Sequence, residues 1–417
     1  MILAGKSGPR DDTVTVRSLA RKSGLMFVFI VIVAALPAFL EGFDGNVFGF
    51  GAPFIVQHIH ASAALLGTLA TGLAIGIALF SYVGGYLFDH FSVKYTIILS
   101  VAIFAVFTVL TGFSTSPAML FVSRLLVGVG IGMFQPAIIA LLGDIFFETR
   151  GRAVAAFAVF FGGGNFVGPH VIQPFLPHFQ TPFIISGIVS LLVLILFYLV
   201  IPKTYKKIER RTIGFRGIFA RNVNILSVSI FFFGICLFGF LGYDSLYLLK
   251  GLGLPSSQAA TIFSMAGLGG LICAFPIGYL ADRFGRKRIV SFAALLIMIG
   301  SVGMFLVSRS VTPLIVLTFV FGAGWGIYVD LVSTLGQDSV DDAVAGTVTG
   351  WLLLVFNVGA MLGGPIFARL LPSGFVTAGV VTVGGSAILS FLLTLFTRPI
   401  TESNIVLEEL GPAPASS

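Results

Sequence analysis

The sequence predicts an all-α membrane protein in which twelve transmembrane helices form two pseudo-symmetric six-helix bundles. Three observations predict this fold: a low content of charge, twelve long apolar segments and a loop that occurs in both halves. Of the 417 residues, 57% are hydrophobic and only 10% are charged, whereas about a quarter of an ordinary soluble domain is charged. Because so few charges could not cover a water-facing surface, lipid must surround most of the chain.

Twelve segments are long enough to cross a bilayer, which requires about 20 predominantly apolar residues. Division of the chain at charges, prolines and polar clusters places them at approximately 25–53, 63–88, 95–114, 117–143, 152–175, 182–201, 223–249, 258–281, 289–308, 312–335, 343–369 and 374–397. Residues 153–201 contain no Lys, Arg, Asp or Glu. We therefore place the turn between spans 5 and 6 at the prolines Pro174, Pro177 and Pro182.

These segments divide the chain into five parts. They are a cytoplasmic N-tail at 1–24, an N-terminal bundle at 25–201, a basic cytoplasmic linker at 202–222, a C-terminal bundle at 223–397 and a cytoplasmic C-tail at 398–417. Twelve spans place both termini on one side of the membrane. With that side as the cytoplasm, the inner loops and tails hold twenty Lys and Arg and the outer loops hold three, as the positive-inside rule requires. We expect a multi-pass protein of the plasma membrane with both termini in the cytoplasm.

The remaining composition excludes several classes of function. The formal charge of +7 would suggest nucleic acid in a soluble protein, but the basic residues cluster in alternate loops, so we expect the lipid bilayer and not nucleic acid as a partner. Cys236 and Cys273 both lie within apolar segments, so neither a disulfide nor a metal site is indicated. Because the sequence has no Walker-type string, we expect no ATP-driven step. It also has no visible hydrolytic constellation, and we expect no cofactor and no enzymatic activity.

An internal repeat relates the two halves of the chain. The eleven residues 85–95 recur at 278–288, 193 positions later, with six identities. Shorter matches pair Gly42-Phe-Asp44 with Gly242-Tyr-Asp244 and a glycine ladder at 128–132 with one at 322–326. These matches fall in corresponding spans and indicate a duplicated six-helix unit, as many transporters have.

Ionisable side chains within membrane spans are costly, so each one indicates function. Such residues occur in spans 1, 4, 7 and 10: Glu41, Asp44, Arg124, Asp244 and Asp330. Glu41 and Asp44 are three apart and share one helical face. Counted from the prolines expected at the outer ends of their spans, Asp44 lies about 13 Å deep and Arg124 about 10 Å deep. We therefore expect Arg124 to pair with Asp44 or Glu41.

Two interpretations of this pair are open. It is either a permanent ion pair that fixes span 1 against span 4, or a carboxylate that binds and releases a proton beside an arginine. We favour the second interpretation, because apolar packing could replace an immobile buried ion pair at little cost.

The second copy of the repeated loop, residues 278–288, closely resembles the cytoplasmic signature loop of the major facilitator superfamily. The resemblance implies two six-helix bundles that rock about a central cavity lined by spans 1, 4, 7 and 10. It also implies a cytoplasmic gate, for which the candidates are Gly85, Asp89, Asp144, Arg150, Asp282, Arg283 and Arg286. In the first copy, Ser92 and Val93 replace the family's Gly-Arg pair.

Three shorter motifs refine the resemblance. Residues 40–53 resemble the span-1 signature of the aromatic acid/proton symporters, with Glu41 in place of an aspartate. Arg124 before its glycine ladder resembles the superfamily's span-4 motif, in which the arginine is implicated in proton coupling. Residues 164–169 begin the antiporter motif but lack the glycine pair that completes it, which favours symport.

The sequence therefore predicts a secondary active transporter, functional as a monomer, that takes up a small organic anion, such as an aromatic or other carboxylic acid, together with protons. Asp44, Glu41 and Arg124 are the proton-coupling candidates. The substrate-binding candidates are polar and aromatic residues of the spans: Asn46, Gln135, Asn165, Tyr243, Asp244, Tyr247, Trp325, Tyr328, Asp330 and Asn357. For each of these, an ordinary interhelical hydrogen bond is the alternative role. A drug/proton antiporter and a receptor that senses a solute without moving it remain open as alternative functions.

Overall fold

The structure is a computed structural model and describes residues 24–90, 92–145, 150–176, 178–201, 219–307, 309–340 and 344–398. Nearly all of the predicted N-tail, of the basic linker and of the C-tail lies outside these residues. Within the described residues the chain is almost entirely helical and contains no strand. The all-α prediction is therefore confirmed.

The described residues form twelve long helices, which we number in chain order. The first six are α1 Gly24–His58, α2 Ala64–His90, α3 Val93–Gly112, α4 Pro117–Ile145, α5 Arg150–Ile172 and α6 Gln180–Val200. The second six are α7 Arg221–Leu246, α8 Ser256–Phe284, α9 Arg286–Leu306, α10 Val311–Gln337, α11 Ala345–Leu370 and α12, which joins Phe375–Gly379 to Ser386–Leu395 through a π segment, Val380–Gly385. Another π segment, Tyr247–Gly251, extends α7, and 3-10 turns follow α5 and α11.

Eleven of the helices are long and apolar enough to cross a membrane, counted over the described residues, and α5 is the one outside this set. The main difference from the predicted boundaries is in α1, which passes through Pro53 and ends at His58. A proline does not have to end a membrane helix, because neighbouring helices and side chains can satisfy the backbone carbonyl that it frees. Proline is therefore a weaker end signal here than in a soluble helix.

The two halves pack alike. In the first half, α1 packs against α5 and α6, α2 against α4, and α3 against α4 and α6. The same pairs recur in the second half, where α7 packs against α11 and α12, α8 against α10, and α9 against α10 and α12. The predicted pair of pseudo-symmetric bundles is therefore confirmed.

Glycines allow the closest of these approaches. A Cβ added at Gly128 in α4 would collide with the carbonyl oxygen of Leu73 in α2, and one added at Gly322 in α10 would collide with that of Ala266 in α8. The matching glycine ladders thus serve the same helix pair in each bundle, and they permit the close packing on which membrane helices depend.

The two bundles meet along two seams, α2 with α11 and α5 with α8. At one end of the molecule, hydrogen bonds cross between the bundles: Thr71 Oγ1 donates to the Met361 carbonyl at 2.7 Å, and Gln173 Nε2 to Ser256 Oγ at 3.3 Å. These contacts lie towards the end at which α1 finishes and α2 begins, which we call the α1–α2 end. The structure therefore has the bundles closed on each other at this end.

Candidate functional site

A buried ion pair lies where α1, α3 and α4 meet. Arg124 Nη1 is 3.2 Å from Asp44 Oδ2, and the two side chains are 0% and 2% exposed. Thr108 Oγ1 donates a hydrogen bond of 2.7 Å to Asp44 Oδ1, and the Arg124 guanidinium lies 3.9 Å from the centre of the Phe48 ring. The structure thus brings Arg124 to Asp44, one of the two acids that the sequence offered. It adds Thr108, which the sequence reasoning missed because the residue resembles any other hydroxyl in an apolar span.

The Arg124 guanidinium has spare donors. Its Nε and Nη2 atoms have no hydrogen-bond partner within the described part of the chain. Buried polar atoms without a partner are rare and call for an explanation. A guanidinium with one edge on Asp44 and another edge free can receive a second anionic group, because its donors suit a carboxylate.

Glu41 lies one helical turn before Asp44 but has a different partner. Its Oε1 accepts a hydrogen bond of 2.8 Å from Gln135 Nε2 in α4. Its Oε2 is buried and has no partner among the described residues. Glu41 and Gln135 therefore form a second polar contact between α1 and α4, and the two acids of span 1 occupy distinct environments.

The remaining candidates in the middle of the bundles fall into small interhelical groups. Asn46 Nδ2 donates to the Asn165 carbonyl at 2.7 Å and joins α1 to α5. Trp325 of α10 lies edge-on to Phe161 of α5, with 6.4 Å between ring centres. This ring contact links the two bundles, and no sequence pattern distinguishes Phe161 among the 44 phenylalanines.

Three other candidates lie in the C-terminal bundle. Tyr328 is fully buried and shares hydrogen bonds with Ser229 at 2.8 Å and Ser390 at 3.1 Å. Asn357 Nδ2 donates to the carbonyl of Leu353 in its own helix at 2.8 Å, and its Oδ1 has no partner within the described residues. Asp330 is half-buried in α10. These hydrogen bonds give Tyr328 a structural role. Asn357 and Asp330, in contrast, keep polar atoms that can bind another group.

Tyr243, Asp244 and Tyr247 lie near the α1–α2 end. Tyr243 Oη accepts from Gly67 N and donates to the Ala63 carbonyl, both at 3.1 Å, so it joins α7 to the start of α2. Tyr247 Oη donates to the Met304 carbonyl at 3.3 Å within its own bundle. Asp244 is 0% exposed, and neither carboxylate oxygen has a partner in the described part of the chain.

The gate candidates are described only in the second copy of the repeated loop. Arg286 Nη1 is 2.5 Å from Asp338 Oδ1, and Arg286 Nη2 is 3.9 Å from Asp282 Oδ1. The Arg283 guanidinium lies 5.6 Å from the Phe284 ring centre. Asp338, the first residue after α10, was missed because it lies outside the repeated motif. The surroundings of Gly85, Asp89, Asp144 and Arg150 lie outside the described residues, so those predictions remain untested.

We expect Asp338→Ala to slow transport more than Asp282→Ala does. Asp338 holds Arg286 at direct hydrogen-bonding distance, whereas Asp282 lies 1.4 Å farther away. The Arg286 and Asp338 side chains are 37% and 35% exposed, so the loss in stability should be no more than about 1 kcal/mol. Initial uptake rates and melting temperatures of the two variants, measured side by side, test this order. Equal rates would show that Asp338 has no special part in fixing α9 against α10.

A match to a family model shows the family of this chain. The model of the Major Facilitator Superfamily matches residues 34–364. The chain belongs to the major facilitator superfamily. It is therefore a multi-pass membrane transporter of small molecules and not an enzyme, as the signature loop predicted.

Individual relatives of this superfamily member are distant. The 4-hydroxybenzoate transporter PcaK of Pseudomonas putida is 23% identical over 414 residues, with 85% of this chain and 92% of PcaK covered. Multidrug resistance protein 1 of Bacillus subtilis is 26% identical over 330 residues, covering 76% of this chain and 84% of that protein. Among solved structures, the nucleoside transporter NupG (D323A mutant) superposes with a TM-score of 0.75 at 14% identity, over 88% of this chain and 100% of NupG. The structural match confirms the fold alone.

Proposed function

We propose that this transporter is a proton-coupled symporter that imports a small organic anion, such as an aromatic carboxylic acid, by alternating access. The observation that carries the proposal is the buried Asp44–Arg124 pair with Glu41 one turn away. The similarity to PcaK, whose name specifies 4-hydroxybenzoate, supports an aromatic acid as the substrate. Charged side chains in the middle of a membrane are energetically costly, so we attribute a function to this ion pair.

Charge balance links the proton to the anion. With Asp44 ionised, its charge cancels that of Arg124, and the site offers little attraction to an anion. When Asp44 binds a proton, Arg124 keeps an uncompensated positive charge in a region of low dielectric, where electrostatic interactions are strong. Its unpartnered Nε and Nη2 atoms then favour a carboxylate. Proton binding thereby raises the affinity for the organic anion, and each ligand favours the binding of the other.

Aromatic side chains next to this charge suit an aromatic acid. Phe48 lies against the Arg124 guanidinium, and the rings of Phe43 and Phe39, five and nine residues earlier in α1, stack with 6.1 Å between their centres. Across the bundle interface, Phe161 and Trp325 form another aromatic group. Aromatic rings prefer offset or edge contacts with one another, so a benzoate ring has surfaces to pack against while its carboxylate meets Arg124.

The proposal also covers the oligomeric state, the membrane and the orientation of the transporter. The chain would function as a monomer in the plasma membrane with both termini in the cytoplasm, as the distribution of Lys and Arg predicts. In that orientation the closed α1–α2 end faces outwards. We also propose the segment boundaries that the sequence predicts and a cytoplasmic gate at residues 282–286.

Uptake into proteoliposomes tests the proposal. The purified protein should accumulate labelled 4-hydroxybenzoate or benzoate when the outside is more acidic than the inside, and a protonophore should abolish the accumulation. An aliphatic carboxylate of similar size serves as the comparison for the aromatic preference. Export of a cationic dye driven by the proton gradient, without carboxylate uptake, would instead identify a drug/proton antiporter. Tight binding without any flux would identify a receptor.

A further inference from the structure

Asp244 is a buried acid without a partner among the described residues, unlike Asp44 and Glu41. Asp44, its counterpart in the repeat, accepts hydrogen bonds from Thr108 and Arg124. Neither oxygen of Asp244 has a partner among the described residues, although the side chain is completely buried. An isolated ionised carboxylate in an apolar interior is far more costly than a protonated one. This environment therefore favours the neutral form of Asp244.

The internal repeat shows which residue of the C-terminal bundle takes the position that Arg124 has in the N-terminal bundle. Arg124 precedes Gly128 by four residues in α4, and Thr318 precedes the matching Gly322 by four residues in α10. The arginine of the N-terminal bundle is thus replaced by a threonine in the C-terminal bundle. Thr318 is fully buried, and its hydroxyl also lacks a partner in the described residues. The C-terminal bundle thus has the acid of the repeated site without an arginine at the matching position.

Charged groups on the helices that pack against α7 lie elsewhere. In α1, Asp44 is paired with Arg124, and Glu41 is bonded to Gln135. The sequence of α2 has no charged residue from 64 to 88, and α12 has none. The remaining titratable or charged groups of these helices are the phenols Tyr82, Tyr86, Tyr243, Tyr247, Tyr279 and Tyr328, the thiols Cys236 and Cys273, the exposed His58, Lys250 and Arg369, and, far along their helices, Asp89, His90, Arg221, Asp282, Arg283 and Asp330.

The neighbours of Asp244 in the chain hold the two bundles together. Tyr243 bridges Ala63 and Gly67 of the N-terminal bundle, and Ser245 Oγ donates to the Gly49 carbonyl at 2.7 Å. We call these two side chains the outer latch. The latch residues are the immediate chain neighbours of Asp244, so the bundles are joined at the position that Asp244 occupies in α7.

We propose that Asp244 is a second proton-binding site, separate from the Asp44 pair, whose protonation holds the α1–α2 end closed. Closure buries the carboxyl group and so selects its neutral form, and the latch then fastens around it. Release of the latch admits water, and the acid can ionise. By linkage, the proton favours closure to the same degree that closure favours the proton. The proposal rests on the contacts at this end and not on the identity of the transported solute.

Distances between spin labels at this end test the proposal. Thr115 and Ser310 are exposed in the α3–α4 and α9–α10 loops, one in each bundle, and cysteines there can carry labels once Cys236 and Cys273 are replaced. The labelled protein is measured in nanodiscs from pH 5.5 to 8.5. The variant Asp44→Asn serves as the background, so that the transport proton does not contribute. We expect the ratio of closed to open molecules to fall with rising pH by up to about tenfold per unit, the limit for one proton.

Substitutions at Asp244 and at the latch should differ in effect. Asp244→Asn, or Asp244→Ala if the first variant folds poorly, should make the ratio independent of pH. Tyr243→Phe and Ser245→Ala should lower the closed fraction at every pH but keep its pH dependence. Thr261→Ala, which removes a hydroxyl bonded only within α8, is the neutral control. A pH dependence that survives in both Asp244 variants, or is absent from the Asp44→Asn background, would overturn the proposal. A failure of the transport proposal would appear separately, as missing uptake.

Discussion

Asp44→Asn is expected to abolish proton-driven accumulation of the organic anion while it leaves exchange of the anion across the membrane partly intact. Asparagine has nearly the shape of aspartate and can still accept a hydrogen bond from Thr108, which now lies 2.7 Å from Asp44 Oδ1. It cannot bind and release a proton, however. The uncompensated Arg124 would favour the anion at every pH, so the anion would bind without a proton and the coupling would disappear.

Paired assays in proteoliposomes measure this separation. Uptake with an inward proton gradient should no longer exceed uptake without one, whereas counterflow against unlabelled anion should continue. Thr108→Val is the matched control, since it removes the hydroxyl partner but keeps the titratable group, and it should retain gradient-driven uptake at a reduced rate. Full accumulation by Asp44→Asn would move the coupling role to Glu41, whose second oxygen also lacks a partner in the described residues.

Arg124→Gln is expected to cause the largest loss of stability among the site variants. It leaves the Asp44 carboxylate buried with Thr108 as its remaining partner, and removal of one member of a buried ion pair typically costs about 3–5 kcal/mol. The double variant Asp44→Asn/Arg124→Gln replaces both charges with amides that can hydrogen-bond to each other. It should recover most of the stability, because no unpaired charge remains, but it should not recover coupled transport.

Thermal unfolding in detergent and uptake together distinguish the two roles of the pair. Recovery of the melting temperature without recovery of uptake would show that the charges are needed for transport and not for assembly. If Arg124→Gln unfolds at the same temperature as the parent, the ion pair contributes little to stability. If the double variant transports with normal coupling, the pair has only the structural role that was the alternative interpretation of the sequence.

Most of the fold could be predicted because lipid imposes simple rules on the chain. Long apolar segments must be helices, and the repeated loop revealed the duplication that the packing confirms. The end of α1 was less certain, because a proline in lipid need not stop a helix. The depths counted from Pro53 and Pro117 nevertheless brought Asp44 and Arg124 to the same level, where the structure places them in contact.

The finer contacts of the site could not be read from the chain. Whether Glu41 meets Arg124 or Gln135 depends on the rotation of α1 about its axis, which residue spacing does not determine. Phe161 and Thr108 belong to residue types that are abundant in membrane helices, so their positions carry no distinguishing signal. Asp338 illustrates another difficulty, since its partner Arg286 lies 52 residues earlier and only the packing of α9 on α10 brings them together.

The two seams between the bundles also determine how this transporter can be manipulated. At the α2–α11 seam, a Cβ on Gly67 would collide with Gly364, and at the α5–α8 seam one on Gly267 would collide with the backbone at Asn165. At these two positions the helix backbones approach too closely to leave room for a side chain. A single bulky residue placed there would act as a steric wedge far from the charged centre. Such wedges offer a route to trap the opposite conformation for structure determination with the transport chemistry untouched.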